Sequence, residues 1–196
     1  MKTNSIIINN KFYLILLCFT LLCFTYTANA QLTLKHSYTF DTDANDNVGT
    51  VNGVLHGKAV ISNGALTTSQ NGDYVSFKGA DFNFSSYQAI TIEHYVIAGN
   101  GTNSGWTGLS YFGDNDGNRA FFTGIARGDN QSISFYNYKA ELKASKEHDD
   151  GKYHHIVSVL TRNFLKFYID GVLIGQANWS GTIDIGTTHA YLGKLG

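Results

Sequence analysis

The stretch DGKYHHIVSVLTRNFLKFYIDGVLIGQA, residues 150–177, decides the fold. Apolar and polar side chains alternate along 154–160, 165–169 and 172–177, the two-residue period of a strand with one buried face. Asp170-Gly171 stands between Phe167-Tyr168-Ile169 and Val172-Leu173-Ile174. Asp-Gly tolerates the two positive φ angles of a type I′ turn, so the second and third strands form a tight antiparallel hairpin. Outward from this core, alternating segments recur at 34–40, 59–62, 73–77, 89–96, 108–112, 120–126, 132–137 and 189–192. They are separated by Gly, Asn, Asp and Ser, and Asn71-Gly72 ahead of Tyr74 is a second turn signal. The chain has 21 Gly and no Pro, and no window after residue 30 repeats apolar residues at helical spacing. About eleven short strands at close intervals predict an all-β, antiparallel sandwich or jelly roll.

The first 30 residues read differently. Lys2 and Lys11 precede the apolar run 12–24, which ends near Ala28-Asn29-Ala30. A basic start, a short apolar stretch and a small-x-small site make a secretory signal peptide cleaved before Gln31. The run is short for a membrane span, which takes about 20 residues. Cleavage removes Cys18 and Cys23, the two cysteines of the chain, so the domain 31–196 is expected to work outside the cytoplasm without a disulfide. Loss of Lys2 and Lys11 takes the 14 basic residues to 12 against 15 acids, a net charge of −3. Bulk charge therefore gives no attraction to nucleic acid or to an anionic membrane.

Four segments resemble, in order, the laminin G-like jelly rolls of the concanavalin A-like superfamily. They are Tyr38-Thr39-Phe40-Asp41 with Asn52-Gly53-Val54-Leu55; Gly64-Ala65-Leu66 with Gly72-Asp73-Tyr74-Val75; Ala89 to Val96; and Asp150-Gly151-Lys152-Tyr153-His154-His155 with Tyr168-Ile169-Asp170-Gly171. The resemblance implies a two-sheet sandwich used for recognition. Its relatives continue beyond a strand like Tyr191-Leu192-Gly193-Lys194 into one more strand, whereas this sequence stops at Gly196. The expectation is a domain truncated at its C-terminus, with 34–40 left as an open edge.

A glycosidase needs two carboxylates across a cleft. The glutamates are Glu93, Glu141 and Glu147, with no glucanase-type E-x-D-x-x-E spacing. Glu141 and Glu147 fall in the charged stretch 139–152, which reads as a solvated loop. A His/Tyr lyase pair drawn from His94, Tyr95 and His154 is weakened because neighbours on a strand face opposite ways. No catalytic residue is assigned, and the domain is expected not to be an enzyme. For metal, Asp41, Asp43, Asn45, Asp46 and Asn47 put hard oxygen donors in one loop. This is either a structural calcium site, which the resemblance also implies, or an ordinary Asp/Asn turn. Asp114-Asn115-Asp116-Gly117-Asn118 reads as a hairpin turn. For carbohydrate, aromatic faces stack on sugar rings while Asp, Asn and Arg bond hydroxyls. Trp106, Tyr111, Asp114, Asn118, Arg119 and Trp179 are the candidates, of which Trp106 and Trp179 lie nearest loops. The expected function is a secreted, non-catalytic, carbohydrate-binding domain. The alternatives are an adhesive protein-binding module of a longer extracellular protein and, more weakly, a jelly-roll hydrolase or lyase.

Overall fold

The structure is a computed structural model that describes residues 32–69, 72–98, 105–114, 117–127, 132–145 and 148–195. The expected signal peptide lies outside these residues. Among the described residues, no helix is long and apolar enough to cross a membrane.

Among the described residues thirteen strands follow one another: β1 (Val54–His56), β2 (Val60–Ser62), β3 (Ala65–Thr67), β4 (Tyr74–Ser76), β5 (Ala89–Ile97), β6 (Gly105–Gly113), β7 (Phe121–Arg127), β8 (Ser132–Tyr136), β9 (Ala140–Lys143), β10 (Tyr153–Thr161), β11 (Phe164–Ile169), β12 (Val172–Asn178) and β13 (His189–Leu192). They build a seven-stranded sheet in the order β1-β4-β13-β6-β7-β8-β9, a four-stranded sheet in the order β12-β11-β10-β5 and a small β2-β3 hairpin. The pairings within these sheets are antiparallel. The β11–β12 turn is as read from the sequence: Asp170 and Gly171 have φ of 51° and 77°.

Alternation sends one face of each large sheet into a shared core. Ile90, Leu160 and Leu165 from the four-stranded sheet meet Val75, Phe112, Phe121, Tyr136 and Ala190 from the seven-stranded one. Ile125, Ile156, Phe167 and Ile169 extend it. Each such side chain contributes roughly 1.5–3 kcal/mol on leaving water. Two polar pairs cross the interior. Thr123 Oγ1 lies 3.1 Å from Ser158 Oγ, and His94 Nε2 lies 3.0 Å from Ser110 Oγ. The interior of His94 disfavours its charged form and pushes its pKa down to about 4.

Three strands escaped the sequence pattern: β1, β3 and β9. The last falls inside the charged stretch read as a loop, because its outward residues are Glu141 and Lys143. Conversely, residues 34–40 are not a strand. The Ser37 N–H is bonded by Asp46 Oδ1 at 3.1 Å and the Thr39 N–H by Asn47 Oδ1 at 3.2 Å. Side chains of the following loop take the place of a neighbouring strand, and Tyr38 and Phe40 pack against the core. The open edge expected there does not form.

Candidate functional site

The outward face of the seven-stranded sheet carries a row of side chains in direct register. Val54, Ser76, Tyr191, Tyr111, Phe122, Phe135 and Glu141 are successive partners across β1, β4, β13, β6, β7, β8 and β9. The inward alternation that buries Phe112 and Phe121 forces Tyr111 and Phe122 outward. The rings then stack: Tyr111 on Phe122 at 6.0 Å and Phe122 on Phe135 at 4.7 Å between centroids. At the other end Tyr74 meets Tyr191 edge-on at 5.3 Å, and the Lys194 ammonium lies 4.6 Å and 4.9 Å from those two rings.

Beside this row the face is hollowed into a groove of about 250 Å³. Phe122, Ile133, Phe135, Tyr138, Glu141, Lys143 and Leu195 line it, with Ile133 and Phe135 themselves buried. The Lys143 ammonium and a Glu141 carboxylate oxygen are 2.9 Å apart and both side chains remain wet. A groove this size lies just under the range of ordinary small-ligand pockets and suits about one sugar ring. Its wall is set by the β8–β9 turn. Asn137 and Tyr138 have φ of 48° and 51°, and the Lys139 N–H closes the turn on the Tyr136 carbonyl at 2.8 Å. A side-chain-bearing residue in this left-handed region costs roughly 1–2 kcal/mol. Asn accepts it readily; Tyr does not. Tyr138 is nonetheless 72% exposed, so burial does not offset that strain. Its ring stands edge-on to Phe135 at 5.0 Å and lies over Gly117, where a Cβ would come within 2.8 Å of the Tyr138 hydroxyl.

Of the residues nominated from the sequence, Asp114 and Arg119 are brought together, and a third group joins them. Arg119 donates to Asp114 at 3.1 Å and to Asp184 at 2.9 Å, while Thr188 donates to Asp114 at 2.6 Å. The guanidinium thereby ties the β6–β7 turn to the β12–β13 loop. These exposed contacts hold it protonated, through the hydrogen bond to Asp184 first. Asn118 is exposed on the same turn. Trp179 is half-buried and packs on Tyr136 at 4.8 Å, with the Lys139 ammonium 5.3 Å from its ring. It is a packing group with one covered face. Tyr111 is 4% exposed and bonds the Asp114 carbonyl through its hydroxyl, so its ring cannot receive a ligand. Trp106 pairs with Ala126 in β6, and its side chain lies outside the described residues. The sequence did not single out Tyr138, Phe135, Asp184 or Lys139. The one available signal was Asn137, a residue that favours turns, just before Tyr138.

The acidic loop is organised around Asp46. Its carboxylate accepts from the N–H groups of Ser37, Val48, Gly49 and Val51 at 2.9–3.2 Å, and His36 Nδ1 lies 2.6 Å away. The side chain is fully covered. Burial acts to raise its pKa. The hydrogen bonds from His36, Gly49, Ser37 and Val48 outweigh it and hold the carboxyl well below the usual range. Asp43 accepts from the N–H and side-chain amide of Asn45 at 2.9 and 2.7 Å. Asp41 is exposed. Calcium needs six to eight oxygen donors aimed at one point. Here the best-placed carboxylate is saturated by N–H groups. Among the described residues, no three His, Cys, Asp or Glu side chains gather as a metal site. Asp43, Asn45 and Asp46 form a hydrogen-bonded loop, with Asp41 exposed beside it.

The groups weighed for catalysis are dispersed. His94 faces inward and Tyr95 outward, 73% exposed. His154 sits between Asp170 Oδ2 at 2.8 Å and Asp150 Oδ1 at 3.1 Å. Desolvation lowers its pKa, but the hydrogen bonds to Asp170 and Asp150 prevail and raise it. Glu93 lies 2.7 Å from His155 on the four-stranded sheet, and Glu141 stands on the other sheet. Glu147 is outside the described residues.

Two antiparallel sheets packed face to face, with tight hairpins and a grooved outer face, define a jelly-roll sandwich of the lectin-like class. The model of the concanavalin A-like lectin/glucanases superfamily, in its laminin G form, matches residues 68–195; the chain belongs to that superfamily. Solved structures agree in fold. The receptor-binding domain of the botulinum neurotoxin C/D mosaic serotype superposes with a TM-score of 0.63 at 11% identity, over 81% of this chain and 42% of that one. Botulinum neurotoxin type C, whose cell entry depends on two ganglioside molecules, gives 0.61 at 14% identity over the same shares. Domain 4 of AbnA, an extracellular arabinanase from Geobacillus stearothermophilus bound to arabinotriose, gives 0.57 at 13% identity over 82% of each chain. The chain thus spans about two fifths of the toxin chains and most of the arabinanase domain. No curated protein matches it.

Proposed function

We propose that this domain is an exported, non-catalytic carbohydrate-recognition module and that the groove beside Tyr138 takes a sugar ring. The observation that carries this reading is Tyr138 itself. A tyrosine held at φ 51° while 72% exposed is strained without any gain from burial, and such outliers point to function. Its ring, with the partly exposed Phe122, offers apolar surface to the C–H face of a pyranose or furanose, and the buried Phe135 backs it. Glu141 accepts from hydroxyls and Lys143 donates to them. The arabinotriose held by the arabinanase domain, which is similar over most of its length, supports a saccharide as occupant. The rival reading, an adhesive module that binds protein, draws on Trp179, whose packing on Tyr136 leaves it less surface for stacking on a sugar. Native electrophoresis through soluble polysaccharides and a glycan array separate the two. Retardation by at least one polymer is expected, with Tyr138→Ala weakening it about tenfold, equivalent to about 1.4 kcal/mol. Absence of binding to every polymer and glycan rejects the carbohydrate reading.

A further inference from the structure

The opposite side of the sandwich carries a second set of exposed rings. β5 ends the four-stranded sheet and pairs with β10 along its whole length, placing His155 opposite Tyr95 and Tyr153 opposite Ile97. The inward face of these strands holds Ile92, His94 and Ile156, so Glu93, Tyr95, Ile97, Tyr153 and His155 share the outward face. Tyr95 lies flat on His155, with centroids 4.4 Å apart and an 8° interplanar angle. His155 Nε2 is 2.7 Å from Glu93 Oε1, and the Glu93 side chain is half exposed. Tyr95 and Tyr153 are 73% and 70% exposed. As diagonal neighbours on an antiparallel pair, their backbones stand about 7–8 Å apart. The stack holds the Tyr95 ring parallel to the imidazole and leaves its outer face to solvent.

From this geometry we infer a second saccharide-binding face, formed by Tyr95, Tyr153, His155 and Glu93, which makes the domain bivalent for glycan. The free faces of Tyr95 and Tyr153 take the apolar faces of successive sugar units. The Glu93 carboxylate, oriented by His155, accepts from a ring hydroxyl. Area favours a sugar over a protein. At roughly 200 Å² per side chain, the exposed parts of Tyr95, Tyr153 and Ile97 sum to about 400 Å², half of the ~800 Å² a stable protein partner covers. A carboxylate in the middle of the patch is also what protein interface centres lack. Because the two faces belong to different sheets and look in opposite directions, they serve two polysaccharide chains or distant stretches of one. This raises retention on a polymer through effective concentration.

The test uses the whole chain with arabinan, laminarin and galactomannan in native gels, followed by calorimetric titration with oligosaccharides cut from the polymer that retards it. Two sites per chain are expected. The double variant Tyr95→Ala/Tyr153→Ala and the single variant Tyr138→Ala should each retain one site, and all three changes together should retain none. Tyr95→Phe should keep two, because its ring still stacks. Unchanged melting temperatures are expected for the exposed-tyrosine variants and guard against misfolding. The inference is overturned by one site in the wild type that survives Tyr95→Ala/Tyr153→Ala, or by no retardation in any of the three polymers. Two sites of which Tyr138→Ala removes neither would instead overturn the groove while leaving the second face standing.

Discussion

Replacing Asp46 by Ala is expected to cost about 3 kcal/mol of folding stability. The carboxylate is fully covered and serves four backbone N–H groups and His36. Val48 is exposed, and water can take over its N–H. Those of Ser37, Gly49 and Val51 belong to half-buried or buried residues, and each costs roughly 1 kcal/mol or more when its partner is removed. For a domain of this size that corresponds to a fall in melting temperature of about 10 °C. Asp41→Ala and Asp43→Ala, on exposed positions, should each move it by no more than about 2 °C. The pH dependence has a definite sign. The Asp46 carboxyl is depressed in the folded state, so its contribution is present above the unfolded value near pH 4 and is lost as pH falls through the folded value. The deficit of Asp46→Ala should therefore shrink in acid. Differential scanning fluorimetry at pH 7 and pH 3, with calcium and with chelator, measures all of this. Equal losses from Asp41, Asp43 and Asp46 variants, together with a matching loss on chelation, would refute the hydrogen-bonded loop and restore a metal.

Two histidines should oppose one another in a pH series. His154 gains charge-assisted contacts to Asp150 and Asp170 and has a raised pKa. Its stabilisation is full below about pH 6.5 and is lost as pH rises through the folded value, so His154→Gln should destabilise by about 1 kcal/mol at pH 5.5 and less at pH 9, read from chemical denaturation. His94 has the reverse sign: with a folded pKa of about 4 against 6.5 when unfolded, it weakens the fold progressively as pH drops from 6.5 to 4, by up to about 3 kcal/mol. His94→Gln should flatten that acid limb; a limb unchanged by the substitution would mean that some other group sets it.

The two-residue period revealed ten of the thirteen strands found among the described residues, most of which turn one face to the core and the other toward water, although β8 is buried on both faces. It failed where the face rule does not apply. β1 and β3 do not alternate in burial, unlike the equally short β2 and β4, and β9 hides behind Glu141 and Lys143 on its outward side. Residues 34–40 alternate like a strand, yet their N–H groups find Asp46 and Asn47, and alternation alone cannot say which partner a backbone will choose. The site was legible in fragments. Asp114 and Arg119 are legible by their chemistry, but Asp184, 65 positions beyond Arg119, becomes their partner only through the β12–β13 loop. The ring row exists only once the register of five strands is fixed. Tyr138 depends on a backbone angle that no residue type announces.

The polar pairs inside the sandwich bear on how the two outer faces are aligned. Close packing of the apolar side chains already resists sliding of one sheet past the other. Thr123 against Ser158 and His94 against Ser110 do not permit it, since a shift of one residue strands up to four polar groups in a dry interior at roughly 1–3 kcal/mol each. The pairs therefore act as dowels between two plates. They fix the angle and offset at which the tyrosines of one plate stand relative to the groove on the other.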